Sequence, residues 1–335
     1  MKDALLIHFL AATGAGIISE TPVLGQITVA NSAMNYAGSF HETITGYLAG
    51  LPSDDEQDSL DAICPALRTN DFFRFPKADE EAYLTETDDS DIRARGASFK
   101  RVQVKGTQVV DETQQKGLTM RVDHKDLAKD GAEIIAGWEN AYAASLQRRL
   151  VRSDKFRALT MLDAAATNAA VTFSAVTNPD GLLRAMVQAT RTATGRYPTH
   201  CLIGNASNQG RQDAYEAATR ANHALAAHAN YSLEELARYL GVGKVVLETG
   251  MRQAVKGGAK ADALGLVNYS YSAEDMKIQG DPSNIFRAFS PVKGGGEWAV
   301  SIQEHDVFTD ITVWHESKIV IPQTTGIRKT TVTIA

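Results

Sequence analysis

The sequence lacks three features that would assign it to a common class of protein. It contains only two cysteines, Cys64 and Cys201, too few for a disulfide framework or a cysteine-rich metal cluster, so we expect two free, buried thiols. It has no run of about 18 apolar residues, the length that a membrane-spanning helix needs. It has no excess of positive charge, because 34 lysines and arginines stand against 40 acids. This balance argues against a protein whose whole surface binds nucleic acid.

The chain has enough apolar residues for about two compact domains, since 44% of its 335 residues are hydrophobic. Near its start, ALLIHFLAATGAGII is apolar but too short to span a membrane. Ser53 and Glu56 have the spacing of a capping box and predict a short helix that Pro65 ends. We interpret residues 1–71 as an apolar arm that needs the surface of a neighbouring chain.

A segment with divided charge follows the arm. Residues 77–91 contain seven acids and one lysine, and residues 92–105 contain five bases and no acid. The segment follows a predicted strand that Pro76 ends, and alternating apolar residues from Val102 to Val122 predict a hairpin-like ribbon after it. So many charges cannot form a core, and we expect residues 72–125 to form an extended excursion.

The remaining chain changes period twice. Apolar residues repeat at three and four positions from 126 to 167, which predicts a helix about 60 Å long. NPDG at residues 178–181 predicts a break, and residues 181–290 alternate helical and strand patterns, as in an α/β or α+β module. Residues 291–335 return to the alternation of β-strands.

The motifs that could carry chemistry are incomplete. TGAGIIS and LGVGKVV are similar to nucleotide-binding loops, but Ser19 replaces the third glycine of the first and Val245 replaces the Ser or Thr of the second. His200 and Cys201 are neighbours in a predicted strand, so they face opposite sides and cannot act together as base and nucleophile. We interpret His315 and its acidic neighbour as a surface pair. We therefore expect no enzyme activity and no catalytic, cofactor-binding or metal-binding residues.

Three stretches resemble parts of one protein family. RGASFKRVQVKGTQVVDETQQKGLTMRVDHKDL resembles an extended loop that leads into a spine helix, and TGRYPTHCLIGNASNQG followed by LARYLGVGKVVLETG resembles an axial domain. DVFTDITVWHESKIVIPQTTGIRK resembles the last strands of a peripheral domain. The family is the major capsid proteins of tailed bacteriophages, which have the Hong Kong 97 phage capsid fold, and the order of parts is similar along almost the whole chain.

The resemblance implies an α+β fold with five successive parts. These are an N-terminal arm (1–71), an extended loop (72–125), the spine helix with the first part of the peripheral domain (126–180), an axial domain (181–290) and the returning peripheral strands (291–335). One departure from some relatives is that no long charged helical region precedes the arm, so we expect no fused scaffolding segment.

The function that the resemblance implies is structural. The chain would self-assemble, as pentamers and hexamers, into the icosahedral shell around the double-stranded DNA genome of a tailed phage. Its further partners would be portal, scaffolding and decoration proteins, with indirect contact to the packaged DNA and none to a membrane. It would be assembled in the host cytoplasm and reside in the virion capsid, without a cofactor.

The same resemblance implies where subunits meet. The family's extended loop lies across a neighbouring subunit, so residues 77–105 would form an intersubunit strap whose acidic and basic halves meet complementary charge. The expected interface residues are Glu86, Asp88, Asp89, Asp91, Arg93, Arg95, Lys100 and Arg101. Three alternatives stay open: a solvated hairpin without this role, an encapsulin-like compartment that holds protein cargo, and a nucleotide-dependent enzyme built on residues 181–290.

Overall fold

The structure, a computed structural model, describes residues 42–50, 55–76, 108–127, 137–219, 228, 230–253, 256–273, 284–292 and 295–335. These residues divide between two compact units. The first unit contains the described parts of Met1–Pro52, Gln115–Leu150 and Pro291–Glu316, and the second contains those of Ser53–Gln114, Val151–Ser290 and Ser317–Ala335. No described helix is long and apolar enough to cross a membrane.

Helices and strands are mixed along the chain, as the sequence predicts. The described helices are α1 (Glu42–Gly50), α2 (Asp55–Ile63), α3 (His124–Leu127), α4 (Trp138–Ala165), α5 (Pro179–Thr194), α6 (Asn205–Thr219) and α7 (Leu233–Leu240). The described strands are β1 (Ala66–Arg68), β2 (Phe72–Pro76), β3 (Gln108–Glu112), β4 (Gln114–Asp123), β5 (Thr167–Phe173), β6 (His200–Gly204), β7 (Lys244–Glu248), β8 (Met251–Gln253), β9 (Lys260–Asp262), β10 (Val267–Tyr271), β11 (Phe286–Ser290), β12 (Trp298–Glu304), β13 (Phe308–Val320) and β14 (Arg328–Ile334).

The first unit is built around antiparallel strands. β12 pairs with β13 so that Trp298 lies opposite His315, and β4 also pairs with β13. The first four residues of β12 are all buried, and α1 packs against this strand, with Thr45 Oγ1 accepting a hydrogen bond from the Val300 backbone N–H at 3.1 Å. His315 is buried as well, and its ring stacks on Trp298 with the ring centroids 4.3 Å apart. The interpretation of His315 as a surface residue is therefore wrong.

The second unit contains a five-stranded mixed sheet in the order β5-β14-β10-β6-β7. β14 runs parallel to β5 and antiparallel to β10, while β6 runs antiparallel to β10 and parallel to β7. α5 and α7 pack on this sheet through apolar side chains that include Leu183, Val187, Leu236 and Leu240. These side chains repeat at three or four residues, which is the spacing that predicts both helices. The alternation of helices and strands predicted for residues 181–290 is confirmed.

Capping residues set the ends of α5 and α7. The Asn178 side chain accepts a hydrogen bond from a backbone N–H of the first turn of α5, so NPDG begins a helix as well as ending the preceding segment. Ser232 and Glu235 form a capping box at the start of α7, and Gly241 ends this helix in a left-handed conformation with φ of 74°. The predicted Ser232 cap and Gly241 stop are confirmed.

The long helix starts later than the sequence pattern predicts. α4 has 28 residues, so it is about 42 Å long at 1.5 Å per residue, where the pattern predicts about 60 Å. Gly137 precedes it with φ of 87°, a left-handed conformation that does not occur within an α-helix. The prediction of one uninterrupted helix from Asp126 is therefore wrong, although residues 128–136 lie outside the described residues.

Candidate assembly interface

The eight residues expected at the subunit interface all belong to residues 77–107, which lie outside the described part of the chain. Their role stays a prediction. They are Glu86, Asp88, Asp89, Asp91, Arg93, Arg95, Lys100 and Arg101. The described residues do include the two strands between which this segment runs, β2 before it and β3 after it.

β2 and β3 form an antiparallel ribbon in which Phe72 lies opposite Glu112 and Pro76 lies opposite Gln108. The two ends of residues 77–107 are therefore held side by side. The sequence predicts instead a ribbon that continues from β3 into β4, and this is wrong because β4 pairs with β13. Alternation identifies the two faces of a strand but not the strand with which it pairs.

The inner face of the ribbon belongs to the core of the second unit. Phe73 and Phe75 are buried, and the Phe75 ring meets Phe286 edge to face with the ring centroids 5.9 Å apart. Ala288 and Val320 complete this apolar cluster. Because burying one such aromatic side chain contributes about 1.5–3 kcal/mol, the ribbon is firmly attached at its base.

The outer face of the ribbon exposes apolar side chains. Phe72 is 71% exposed and Val110 is 61% exposed, and the register places Arg74 opposite Val110 on the same face. We call Phe72, Arg74, Val110 and Glu112 the outer ribbon face. A single exposed apolar residue is ordinary, but two beside the charged segment indicate a contact surface. The sequence analysis missed this face, although the run FFRF already places aromatic residues on both sides of the strand.

Polar contacts fix the direction in which the ribbon leaves the second unit. Lys318 forms an ion pair with Asp111 of β3, and Ser290 donates a hydrogen bond from its hydroxyl group to the Asp71 carboxylate. The backbone N–H of Thr113 donates to the carbonyl oxygen of Asp71 at 2.9 Å. Both ends of the ribbon are thus tied to β11 and β13.

A buried polar cluster braces α5 and α6 in the second unit. Arg211 donates to the Asp180 carboxylate at 3.1 Å and to the His228 carbonyl oxygen at 3.0 Å, while His228 Nδ1 lies 3.3 Å from Asp180 Oδ2. Tyr215 stacks on the His228 ring and donates its hydroxyl proton to Asn178 at 2.8 Å. Because these groups satisfy one another, the histidine–aspartate pair serves as an internal support of the fold.

The residues that an enzyme would need have unsuitable protonation states. Burial and then the charge of Lys244 lower the pKa of His200 to about 4, and burial raises the pKa of Cys201 to about 12. Cys201 therefore remains a thiol at neutral pH, whereas nucleophilic attack needs the thiolate. Cys64 is free and buried too, which confirms the expectation for both cysteines. Among the described residues, no group of three or more histidines, cysteines and acids could hold a metal ion.

No model of a known protein family and no curated protein sequence matches the chain. Solved structures do match. A phage-related protein of Bordetella bronchiseptica aligns with a TM-score of 0.62 and 10% identity, over 87% of this chain and 96% of that chain. The capsid structure of cyanophage P-SCSP1u aligns with a TM-score of 0.48 and 10% identity, over 82% and 88% of the two chains. The SrpI encapsulin complex of Synechococcus elongatus aligns with a TM-score of 0.41 and 8% identity, over 88% and 95%.

The Bordetella similarity shows that this chain has the same fold along most of both chains, and an identity of 10% shows the fold alone. The solved structures that match are mostly phage capsid proteins. The predicted α+β fold of the Hong Kong 97 capsid type is therefore confirmed.

Proposed function

We propose that the protein is a capsid-type shell subunit, and more specifically the major capsid protein that encloses the double-stranded DNA of a tailed bacteriophage. The observation that carries the proposal is the β2–β3 ribbon. Its inner face is part of the core, its outer face exposes Phe72 and Val110, and it holds together the ends of a densely charged segment. This arrangement offers contacts that a single subunit cannot itself satisfy.

Assembly follows from the physics of such contacts. Identical chains form closed rings when one surface of each copy contacts a different surface of the next copy, so pentamers and hexamers need contacts of this kind. The strap at residues 77–105, with its eight charged interface residues, supplies one surface. Each exposed ion pair contributes only about 0–1 kcal/mol, but many weak contacts add up because every subunit repeats them.

The proposal includes the location and the further partners. The assembled shell is the virion capsid, formed in the host cytoplasm with portal, scaffolding and decoration proteins. The net charge of -6 fits indirect contact with the packaged DNA, because a basic lining would bind phosphate tightly and in a salt-dependent way.

Electron microscopy of the purified protein tests the proposal. We expect closed icosahedral shells, and we expect native particles to contain long double-stranded DNA that resists added nuclease. Particles filled with a cargo enzyme would support the encapsulin-like compartment instead. A protein that stays monomeric and binds a nucleotide tightly in calorimetry would support the enzyme on residues 181–290.

A further inference from the structure

α5 presents a basic face to solvent. Arg184, Gln188 and Arg191 follow one another at spacings of four and three residues, so they lie on one side of the helix. Both arginines are exposed, and the one acid of α5, Asp180, is buried against Arg211. Among the described residues, no carboxylate forms an ion pair with Arg184 or Arg191.

Tyr197 holds this face in a fixed arrangement. Gln188 Nε2 donates to the Tyr197 hydroxyl oxygen at 3.3 Å, and Arg191 Nη1 donates to the same atom at 3.1 Å. The Arg191 guanidinium group also lies over the ring, 4.7 Å from its centroid. The hydrogen bond from Gln188 and the charges of Arg191 and Arg184 lower the pKa of the Tyr197 phenol. We call Arg184, Gln188, Arg191 and Tyr197 the α5 basic face.

The chemistry of this face selects an acidic occupant. Two guanidinium groups without a described carboxylate partner each offer a planar set of donors that matches the two oxygens of a carboxylate. The ordering of Arg191 on Tyr197 lowers the entropy that binding would otherwise cost. A flexible acidic segment with closely spaced carboxylates therefore fits the face.

The chain itself contains such a segment outside the described residues. Residues 78–91, ADEEAYLTETDDSD, carry seven acids and no base. Resting on the proposed function, we propose that residues 78–91 of one copy dock on the α5 basic face of a second copy. One sequence then supplies both the acidic segment and the surface that receives it, as contacts between different surfaces of identical chains require.

Charge reversal tests this docking. Arg184→Glu with Arg191→Glu should leave subunit unfolding unchanged, because both side chains are exposed, and should slow assembly at low salt by about tenfold or more. The matched control is Arg252→Glu with Lys260→Glu, which makes the same change of charge on the exposed β8–β9 hairpin and should assemble like the wild type. The readout is light scattering at low and high ionic strength beside calorimetry of unassembled subunits. High salt should weaken the difference, because it screens the reversed charges.

Mixing complementary variants identifies which copy provides the segment. Asp88→Lys with Asp89→Lys should also slow assembly, and a mixture of this variant with Arg184→Glu/Arg191→Glu should recover it. If the contact formed within one chain, the mixture would stay slow and only a chain with all four changes would recover.

Other outcomes separate this docking from the proposed function. Equal assembly of the α5 variant and the control would overturn the docking site and leave the shell function standing. A wild-type chain that forms no shells would overturn both. If the α5 variant formed normal shells but lost binding to a double-stranded DNA fragment, the occupant would be nucleic acid and the docking proposal would be wrong.

Discussion

The ammonium group of Lys155 lies 2.9 Å from the carboxylate of Glu248, and both side chains are almost completely buried. Glu248 also accepts hydrogen bonds from the Ser59 hydroxyl group at 2.7 Å and from the Gly250 backbone N–H at 2.8 Å. Lys155 forms a second ion pair with Glu56. This cluster connects α4 to α2 and to the end of β7 within the second unit.

Breaking this buried pair should strongly destabilise the subunit. Lys155→Met leaves the Glu248 charge buried without its counter-ion, and we expect a loss of about 3–5 kcal/mol in the free energy of unfolding. Arg152→Met is the control, because Arg152 is exposed and its pair with Glu56 should contribute less than about 1 kcal/mol. Urea unfolding of unassembled subunits, followed by circular dichroism, measures both. Equal losses for the two variants would contradict the role given to the buried pair.

A second ion pair makes the stability of the first unit depend on pH. Arg121 donates to both oxygens of Asp310 at 2.8 Å, and this hydrogen bonding and charge outweigh burial and hold the Asp310 pKa below its ordinary value of 3.8. A carboxyl with a lowered folded pKa stabilises the fold above the unfolded pKa, and this contribution disappears as pH falls through the folded pKa. Asp310→Asn should therefore destabilise at pH 7, and its difference from the wild type should shrink below about pH 4.

Tryptophan fluorescence is the suitable readout for Asp310, because all three tryptophans, Trp138, Trp298 and Trp314, lie in the first unit. Asp306→Asn removes an exposed charge nearby in sequence and should leave the acid dependence unchanged. A difference between Asp310→Asn and the wild type that stays constant from pH 7 to about pH 2 would show that the carboxylate charge is not what stabilises the unit.

The outer ribbon face should matter to assembly and not to folding. Phe72→Ser with Val110→Ser changes two exposed side chains, so subunit unfolding should shift by less than about 1 kcal/mol while light scattering shows reduced shell formation. Phe73→Ser is the contrast, because this buried neighbour should cost about 3 kcal/mol or more in subunit stability. Unchanged shell yield for the Phe72 and Val110 variant would mean that the face remains in solvent after assembly.

The tip of the proposed strap allows a separate charge test. Arg93→Glu with Arg95→Glu should leave the thermal unfolding of unassembled subunits within about 1–2 °C, since exposed substitutions usually cost less than about 0.5 kcal/mol. Shell formation should fall sharply and depend on ionic strength, because like charges would face each other across the contact. A large loss of subunit stability would instead place these arginines within their own subunit's core.

The parts of the fold that could be predicted are those that depend on local chemistry. Ser232 and Gly241 mark the ends of α7 by capping, whatever the rest of the chain does. The pairing of β2 with β3 and the burial of His315 beneath Trp298 depend on partners distant in sequence or on what covers a strand, which alternation does not encode. The α5 basic face could not be recognised either, because isolated exposed arginines are typical of any solvated helix until the turn after α5 places Tyr197 between them.

The position of β14 sets a time at which the second unit can be completed during protein synthesis. β5 is an edge strand of its sheet and pairs there with β14 alone, beginning with Thr167 opposite Arg328. These residues are about 160 positions apart, so at about 5–20 residues per second the ribosome needs roughly 10–30 s to make the partner of β5. A growing chain therefore carries an unfinished sheet, with the core that Val332 completes still open to water. Competence to join a shell is acquired only after translation has passed residue 334, which keeps chains on the same messenger RNA from assembling prematurely.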